Sequence, residues 1–248
     1  MKIVFLGVGE AFDENTPNNS HLVVTEKTKL LLDCGLTAAP QVWKFNPDPN
    51  FLDAVYISHW HADHYFGLPG LLLRMWEGGR TRPITIISRK GFKNQFAELM
   101  NLAYSGFLEK FKYEIKIIEV EDGGNAEFND LKLFFNKTVH SGENLAVKFS
   151  DGKNTIAYSG DGSPIAGSNF YKNLDLLILE TYLYDQEKIG HSSIISAIKF
   201  AEENNAKCLA LTHMNRNFRK NDLPKIKEKI VSDKVKIIIP EPLDEYNF

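Results

Sequence analysis

The chain has 248 residues, 43% of them hydrophobic and 25% charged, with a formal net charge of −3 and a pI near 6.2. That balance describes an ordinary globular protein with room for a sizeable core, and it excludes a global basic field for drawing in polyanions. A nucleic acid is therefore not favoured as a partner and would need a local basic patch. No apolar run approaches the roughly 20 residues of a membrane-spanning helix, and the start MKIVFLGVGEAF has neither a basic leader nor a small-residue cleavage site. The expectation is a cytoplasmic protein without membrane contact. Cys34 and Cys208 lack the paired spacing of a zinc ribbon or a disulfide framework and are expected to be reduced and buried.

In chain order, short aliphatic and β-branched runs recur at 2–7, 21–25, 29–35, 54–58, 84–88, 114–120, 131–136, 144–150, 154–160, 175–181, 207–212 and 234–239. Their length and turn-rich borders predict strands. Helical periodicity falls between them at 36–45, 67–77, 91–110, 191–205 and 221–232, the last with Asp222 as an expected N-cap ahead of Pro224. Strands with interspersed helices predict a mixed α/β chain. With no linker or low-complexity tract in view, residues 1–248 read as one domain. Gly7-Val8-Gly9 lacks the third glycine and the acidic residue of a dinucleotide loop and reads as a tight turn.

The chemistry concentrates in a few residues. Three of the seven histidines fall in His59-Trp60-His61-Ala62-Asp63-His64, directly after the strand-like AVYIS. Imidazoles and a carboxylate packed where a strand gives way to a loop are poorly explained as core, because they would crowd unsatisfied polar atoms. Three further candidates also follow strands: LKLFFNKTV leads to His140, NTIAYSG to Asp161 and KCLALT to His213. One edge of a sheet system would present them all, on loops aimed by a rigid frame. Five imidazoles and two carboxylates suit zinc, manganese or iron rather than calcium, and seven donors can fill two ions roughly 3.5–4 Å apart.

The signature HWHADH with the later His140, Asp161 and His213 resembles the metallo-β-lactamase superfamily, over nearly the whole chain. The resemblance implies an αββα four-layer sandwich, two mixed β-sheets flanked by helices. It also implies two divalent metal ions, zinc first and manganese or iron as alternatives. His59, His61 and His140 would hold one ion, Asp63, His64 and His213 the other, and Asp161 would bridge. Asp33, in LLDCG, is similar to an aspartate that supports the metal shell in that superfamily; a simple strand-end turn is the other reading. A homodimer is a weaker implication.

The stretch GHSSIISAIKFAEENNAKCLALTH resembles the corresponding segment of ribonuclease Z and related phosphodiesterases, where a histidine outside the metal shell faces the scissile phosphate. The resemblance makes His191 the general acid and Glu180 its acidic partner, with Asp63 among the catalytic groups. It implies hydrolysis of a small or cyclic phosphodiester by water activated between the two ions. The long transfer-RNA arm of ribonuclease Z is missing, since residues 141–160 read as a strand hairpin around Asp151-Gly152. Asn217 stands where that family carries an arginine, with Arg216 or Arg219 offered instead, and Arg216 and Ser141 are the candidate substrate contacts. Two alternatives remain open: a ribonuclease Z-like endonuclease at RNA 3′ ends, and a thioester or lactam hydrolase. Arg74, Arg80, Arg82 and Arg219 could add a basic rim, Asn18, Asn19 and Ser20 read as loop solvation, and His21 as structural.

Overall fold

The computed structural model describes residues 1–186 and 188–248. Two β-sheets face one another. The first has seven strands: β1 (Lys2–Gly7), β2 (Ser20–Val24), β3 (Lys29–Leu32), β4 (Ala54–Ile57), β5 (Ile84–Arg89), β6 (Ile115–Val120) and β15 (Asp244–Asn247), in the order β15-β1-β2-β3-β4-β5-β6. The second contains β7 (Asn125–Phe128), β8 (Leu131–Val139), β9 (Leu145–Ser150), β10 (Thr155–Tyr158), β11 (Ser163–Pro164), β12 (Leu176–Glu180), β13 (Cys208–Thr212) and β14 (Lys236–Ile238). Its order is β11-β8-β9-β10-β12-β13-β14, with β7 paired to β8. Each sheet mixes an antiparallel part with a parallel part: β3 to β6 run parallel in the first, and β10, β12, β13 and β14 in the second.

The apolar runs are continuous because most of these strands are buried on both faces. Side chains alternate between two cores. From β1, Ile3 and Phe5 point between the sheets while Val4 and Leu6 point toward helices; from β12, Leu176 and Ile178 point between the sheets while Leu177 and Leu179 point outward. Three apolar layers result, one between the sheets and one under each helical flank, which is the four-layer αββα sandwich.

The first sheet is covered by α1 (Ala38–Phe45), α3 (Leu68–Glu77) and α4 (Phe92–Ala103), whose buried residues join its outer face. The second is covered by α5 (Ile194–Glu203) and by the segment around Phe218, Leu223 and Ile230. A short helix, α2 (Ala62–Tyr65), carries part of HWHADH. Cys34 and Cys208 are free and buried. Among the described residues no helix is long and apolar enough to cross a membrane.

Several expectations need correction. The helix expected over 91–110 stops at Ala103, because Gly106 adopts φ +71° and the chain turns before a single 3₁₀ turn at Leu108–Lys110. The helix expected over 221–232 is broken into a π-turn at Phe218–Asp222, α6 (Leu223–Ile226) and a 3₁₀ turn at Lys227–Lys229. Asp222 lies inside this run in the helical region and makes no capping bond; the side chain of Asn215 takes that role, accepting from the N–H groups of Asn217 and Phe218. Strands β7, β11 and β15 were not foreseen.

The period-2 burial of β8 supplies a test. Phe135 is fully buried and stacks on Tyr56 across the sheets at 5.8 Å, whereas its neighbour Phe134 is 39% exposed. Phe135→Ala is expected to cost about 3–5 kcal/mol, and Phe134→Ala under about 1 kcal/mol, as read from urea unfolding midpoints at constant m-value.

Candidate active site

Every sequence-nominated ligand sits just past a strand, at one end of the sandwich. β4 runs out into His59 and His61, and α2 then turns Asp63 and His64 inward. β8 leads to His140, β10 to Asp161, β12 ends on Glu180 and β13 leads to His213. The turns that deliver them are tightly constrained. Gly160 has φ +69°, and a Cβ there would overlap the side chains of Asn144 and Ser58. Asn144 in turn receives the Asp161 N–H at 3.4 Å and donates to Ser159 O at 2.8 Å. His213 itself holds φ +59°, a left-handed conformation rare outside glycine and often found at functional sites.

Among the described residues, three groups of side chains have ligand atoms within 4.8 Å of one another. The first is His59, His61, His140 and Asp161, the second Asp63, His64, Asp161 and His213, and the third Asp161, Glu180, His191 and His213. Asp161 belongs to all three. His140 Nε2 lies 3.1 Å from His61 Nδ1, His64 Nε2 3.1 Å from Asp63 Oδ2, and His213 Nδ1 3.1 Å from Asp161 Oδ1.

These donors fit a metal on chemical grounds. Nε2 of His59 and His64, Nδ1 of His213 and Oδ1 of Asp161 are buried and make no contact of hydrogen-bond geometry among the described residues, the 3.1 Å approaches of His64 to Asp63 and of His213 to Asp161 being close contacts without it. Four such groups at one place would be costly if nothing bound them.

The tautomers follow from the hydrogen bonds beneath. Asp33 is fully buried and accepts from Ser58 N at 2.7 Å, Ser58 Oγ at 2.8 Å and Tyr158 Oη at 2.7 Å, with His64 Nδ1 a further 2.7 Å partner. Ser58 directs its proton to Asp33, so His59 Nδ1, 3.0 Å from Ser58 Oγ, must donate to it. Both rings are thereby turned with their Nε2 lone pairs toward the ligand cluster, as metal-ligating imidazoles require. Of the two readings open for Asp33, support beneath the cluster agrees with this geometry.

Burial, reinforced by neighbouring imidazoles, keeps His59 well below the ordinary histidine range. Burial likewise lowers His140, to about 4, although Asp161 pulls the other way. His64 goes the opposite way: burial opposes its charge, but Asp63 and Asp33 raise it well above the usual value. Burial would raise Asp63 and Asp161, yet the surrounding imidazoles hold both below the normal carboxylate range.

His191 stands outside the first two groups and enters only the third, with Asp161, Glu180 and His213. Its ring stacks between Tyr182, at 5.1 Å, and His213, at 6.1 Å. Nδ1 faces Glu180 Oε2 at 3.1 Å and Asp161 Oδ1 at 3.4 Å, while Glu180 Oε1 accepts from Ser192 N at 2.7 Å. Burial lowers the His191 pKa, but the facing carboxylates of Asp161 and Glu180 prevail and raise it to about 10. Glu180 is itself pushed up by burial. His191 precedes the helix rather than opening it, since α5 is capped by Ser193 in a reciprocal bond with Ser196.

A cavity of about 850 Å³ opens over this floor, and Ser141 and His191 line it. Arg216 does not: it is turned to Glu10, with Nη1 to Oε1 at 2.6 Å, and borders a neighbouring cavity. The other arginines are also engaged elsewhere. Arg80 is buried on the carbonyls of Pro49, Leu52, Arg82 and Pro83, Arg82 pairs with Asp53, Arg74 lies over Trp43, and Arg219 pairs with Glu241.

Asn18, Asn19 and Ser20 are buried scaffold rather than solvated loop: Asn18 receives the Thr37 N–H, Asn19 donates to Tyr158 and Ser20 to the Asp33 carbonyl. His21 is buried between Phe5 and Tyr158 with its pKa driven by burial to about 3, as befits a structural residue. Ser58, Asn144, Tyr158 and Tyr182 were missed; only their place at strand ends next to the histidines could have signalled them.

A family model described as Anti-Pycsar protein Apyc1 matches residues 1–236. The chain belongs to that family. Ribonuclease Z of Methanocaldococcus jannaschii is 27% identical over 309 aligned positions, covering 100% of this chain and 97% of that protein. Ribonuclease Z of Methanosarcina mazei is 34% identical over 147 residues, 58% of this chain and 47% of that protein. Among solved structures, the metallo-β-lactamase fold protein YhfI of Bacillus subtilis superposes with a TM-score of 0.82 at 26% identity, covering 99% and 98% of the two chains. The short form of human tRNase Z superposes with a TM-score of 0.81 at 21% identity, covering 100% and 99%. Fold, family and the paired His/Asp clusters together identify a hydrolase of the metallo-β-lactamase superfamily.

Two outcomes are expected. Chelation should lower the melting temperature and zinc should restore it, since each occupied site adds about 2.7 kcal/mol of stability at a free metal concentration 100 times its Kd; an unchanged melting curve would refute metal binding at the orphaned donors. Asp33→Asn, which puts an amide donor among four donors, should weaken metal affinity by about 10- to 100-fold in chelator competition while the far-UV spectrum stays native.

Proposed function

We propose that this protein is a dinuclear-metal-dependent phosphodiesterase acting on a small cyclic phosphodiester, with a cyclic nucleotide as the first candidate. One observation carries the reading: beside the two groups built on the HWHADH residues, which share Asp161, the imidazole of His191 has its Nδ1 engaged by the buried carboxylate of Glu180 at the edge of the cavity. Lactam or thioester hydrolysis has no evident use for that His191–Glu180 pair. Membership in the Apyc1 family, which implies degradation of cyclic nucleotides, supports the choice of substrate.

In this reading His59, His61 and His140 would hold one ion and Asp63, His64 and His213 the other, with Asp161 within reach of both groups. When bound, two divalent cations supply Lewis acidity and a water of lowered pKa. The remaining work belongs to the chain. Asp33 fixes the rings of His59 and His64, directly and through Ser58. Glu180 accepts from Nδ1 of His191 and, with the nearby charge of Asp161, favours its charged form, which leaves Nε2–H as the proton to be delivered to the departing alkoxide. Tyr182 and His213 keep the imidazole from rotating away. Hydrolysis then places hydroxyl on phosphorus and the His191 proton on the ester oxygen, and the proton lost by water restores the imidazolium.

A ribonuclease Z-like reading draws support from the named relatives, but the segment between His140 and Asp161 is taken up by the β9–β10 hairpin. The 309 aligned positions against 248 residues also mean that the archaeal relative carries segments this chain lacks.

The test is a panel of 3′,5′-cyclic and 2′,3′-cyclic nucleotides, cyclic dinucleotides, a cyclic ribose phosphate and unprocessed transfer RNA, assayed with zinc and with manganese. Cyclic phosphodiesters are expected to turn over, and His191→Ala is expected to lower kcat by about 10²-fold or more with metal content intact. Parallel loss of bound metal would remove the general-acid role, and cleavage of transfer RNA alone would replace the substrate.

A further inference from the structure

The floor of the cavity is polar, but its rim is not. Phe12 is 77% exposed, Leu36 56% and Ile189 98%, and all three line the same cavity as Asp161 and His191. An aromatic ring this exposed on a loop would ordinarily be free to swing. Phe12 is braced instead. Its N–H donates to Glu10 Oε2 at 3.0 Å, and Glu10, only 3% exposed, accepts on its other oxygen from Arg216 Nη1 at 2.6 Å. The Arg216 guanidinium carbon lies 6.0 Å from the Phe12 ring centroid, within cation–π range. One buried carboxylate thus joins the loop after β1 to the loop after β13, the latter carrying His213, and sets an aromatic ring at the mouth of the site.

We propose that Phe12 is the stacking platform for the nucleobase of the substrate, with Glu10 and Arg216 as positioning residues behind it. This rests on the phosphodiesterase reading above. A phosphodiester seated on the His/Asp floor leaves its organic substituent at the rim, where a pre-oriented aromatic face loses little entropy on binding. A nucleobase is the substituent that matches it, because every base offers a π-face and stacks without needing specific hydrogen bonds. An aliphatic substituent would gain nothing from flatness. Arg216 therefore serves substrate binding from behind the ring instead of touching phosphate.

The metal-loaded protein is assayed with 3′,5′-cyclic AMP and with a methyl riboside 3′,5′-cyclic phosphate, which lacks the base. Phe12→Ala is expected to raise KM for cyclic AMP by about ten-fold, a rise several times larger than for the base-less substrate, with kcat for cyclic AMP changed less than two- to three-fold (on the scale of a single base stack). Phe12→Trp should restore the KM. Glu10→Gln, which keeps an acceptor but removes the charge that holds Arg216, should raise KM with the same preference for the base-bearing substrate. Equal rises for both substrates, no rise, or failure of Trp to restore binding would overturn the platform while leaving phosphodiesterase activity in place. A wild-type protein inert on cyclic AMP would overturn the platform for that substrate, and one inert on every cyclic phosphodiester of the panel above would overturn the phosphodiesterase reading and the platform with it.

Discussion

The carboxylate of Asp33 is the point on which the two halves of the molecule and the site between them converge. It lies past the end of β3 in a left-handed conformation, φ +58°, and its two oxygens have four partners: Ser58 N, Ser58 Oγ, His64 Nδ1 and Tyr158 Oη. Ser58 and His64 belong to the loop that carries HWHADH, and Tyr158 belongs to β10 in the opposite sheet. Burying a carboxylate costs several kcal/mol. Hydrogen bonds to a charged group return about 1.5–3 kcal/mol each, so four of them offset that cost, and removing any one would leave a deficit. The sheets are therefore held in register at the place where the imidazoles of His59 and His64 must be aimed.

That register would mean little if the strands could shift. Burial of both faces prevents this. A one-residue slip of β4 or β12 would exchange the side chains that face the other sheet for those that face the helices, and Tyr56, Leu176 and Ile178 would meet the wrong layer. The loops at the strand ends inherit this rigidity, and local backbone geometry completes it. Gly160 fits where no Cβ can, Gly35 and Gly67 allow the backbones near Asp63 and Cys34 to approach closely, and His213 is held in a left-handed turn. The seven metal-capable side chains come from positions 59 to 213, and their convergence is a property of the sandwich rather than of any one segment.

Much of this was legible in the sequence, for identifiable reasons. Strands buried on both faces write themselves as unbroken aliphatic runs, so the central strands stood out; so did the clustered histidines and Asp161 after NTIAYSG, because polar ligating groups after apolar runs have few structural explanations. What escaped detection was polar and at an edge. β15, Asp-Glu-Tyr-Asn, pairs with β1 through backbone hydrogen bonds at the border of the sheet and needs no apolar pattern. Asp33 read equally well as a turn, because its partner Tyr158 lies 125 residues away. Asn18, Asn19 and Ser20 looked like solvated loop by residue type and are instead buried beneath the site, where the backbone bridges of Gly9 to Asn18 and Met214 draw the first loop under the last. Arg216 was selected for its charge, which the sequence shows, while its partner Glu10 stands 206 residues away, which the sequence does not.

The distinction between floor and rim follows from the same physics. Ligating groups must hold their positions to within fractions of an ångström, so they sit on strand ends locked by Asp33, Asn144 and the glycine turns. Substrate-facing groups need only present a surface, so they sit on the longer excursions: Glu10 to Thr16 after β1, and the approach to His191 after β12. His191 belongs to both regimes. Its loop carries the fully exposed Ile189, yet its ring is fixed by Glu180, which ends a central strand and is wholly buried. A fold of this kind can change substrate without disturbing its chemistry, because the residues that choose the substrate are not the ones that hold the two sheets together. The short form of human tRNase Z shares the architecture over this entire chain, as expected of a frame on which sites are grafted. In this chain a short β9–β10 hairpin fills the interval between His140 and Asp161, and the ring of Phe12 stands at the rim of the cavity.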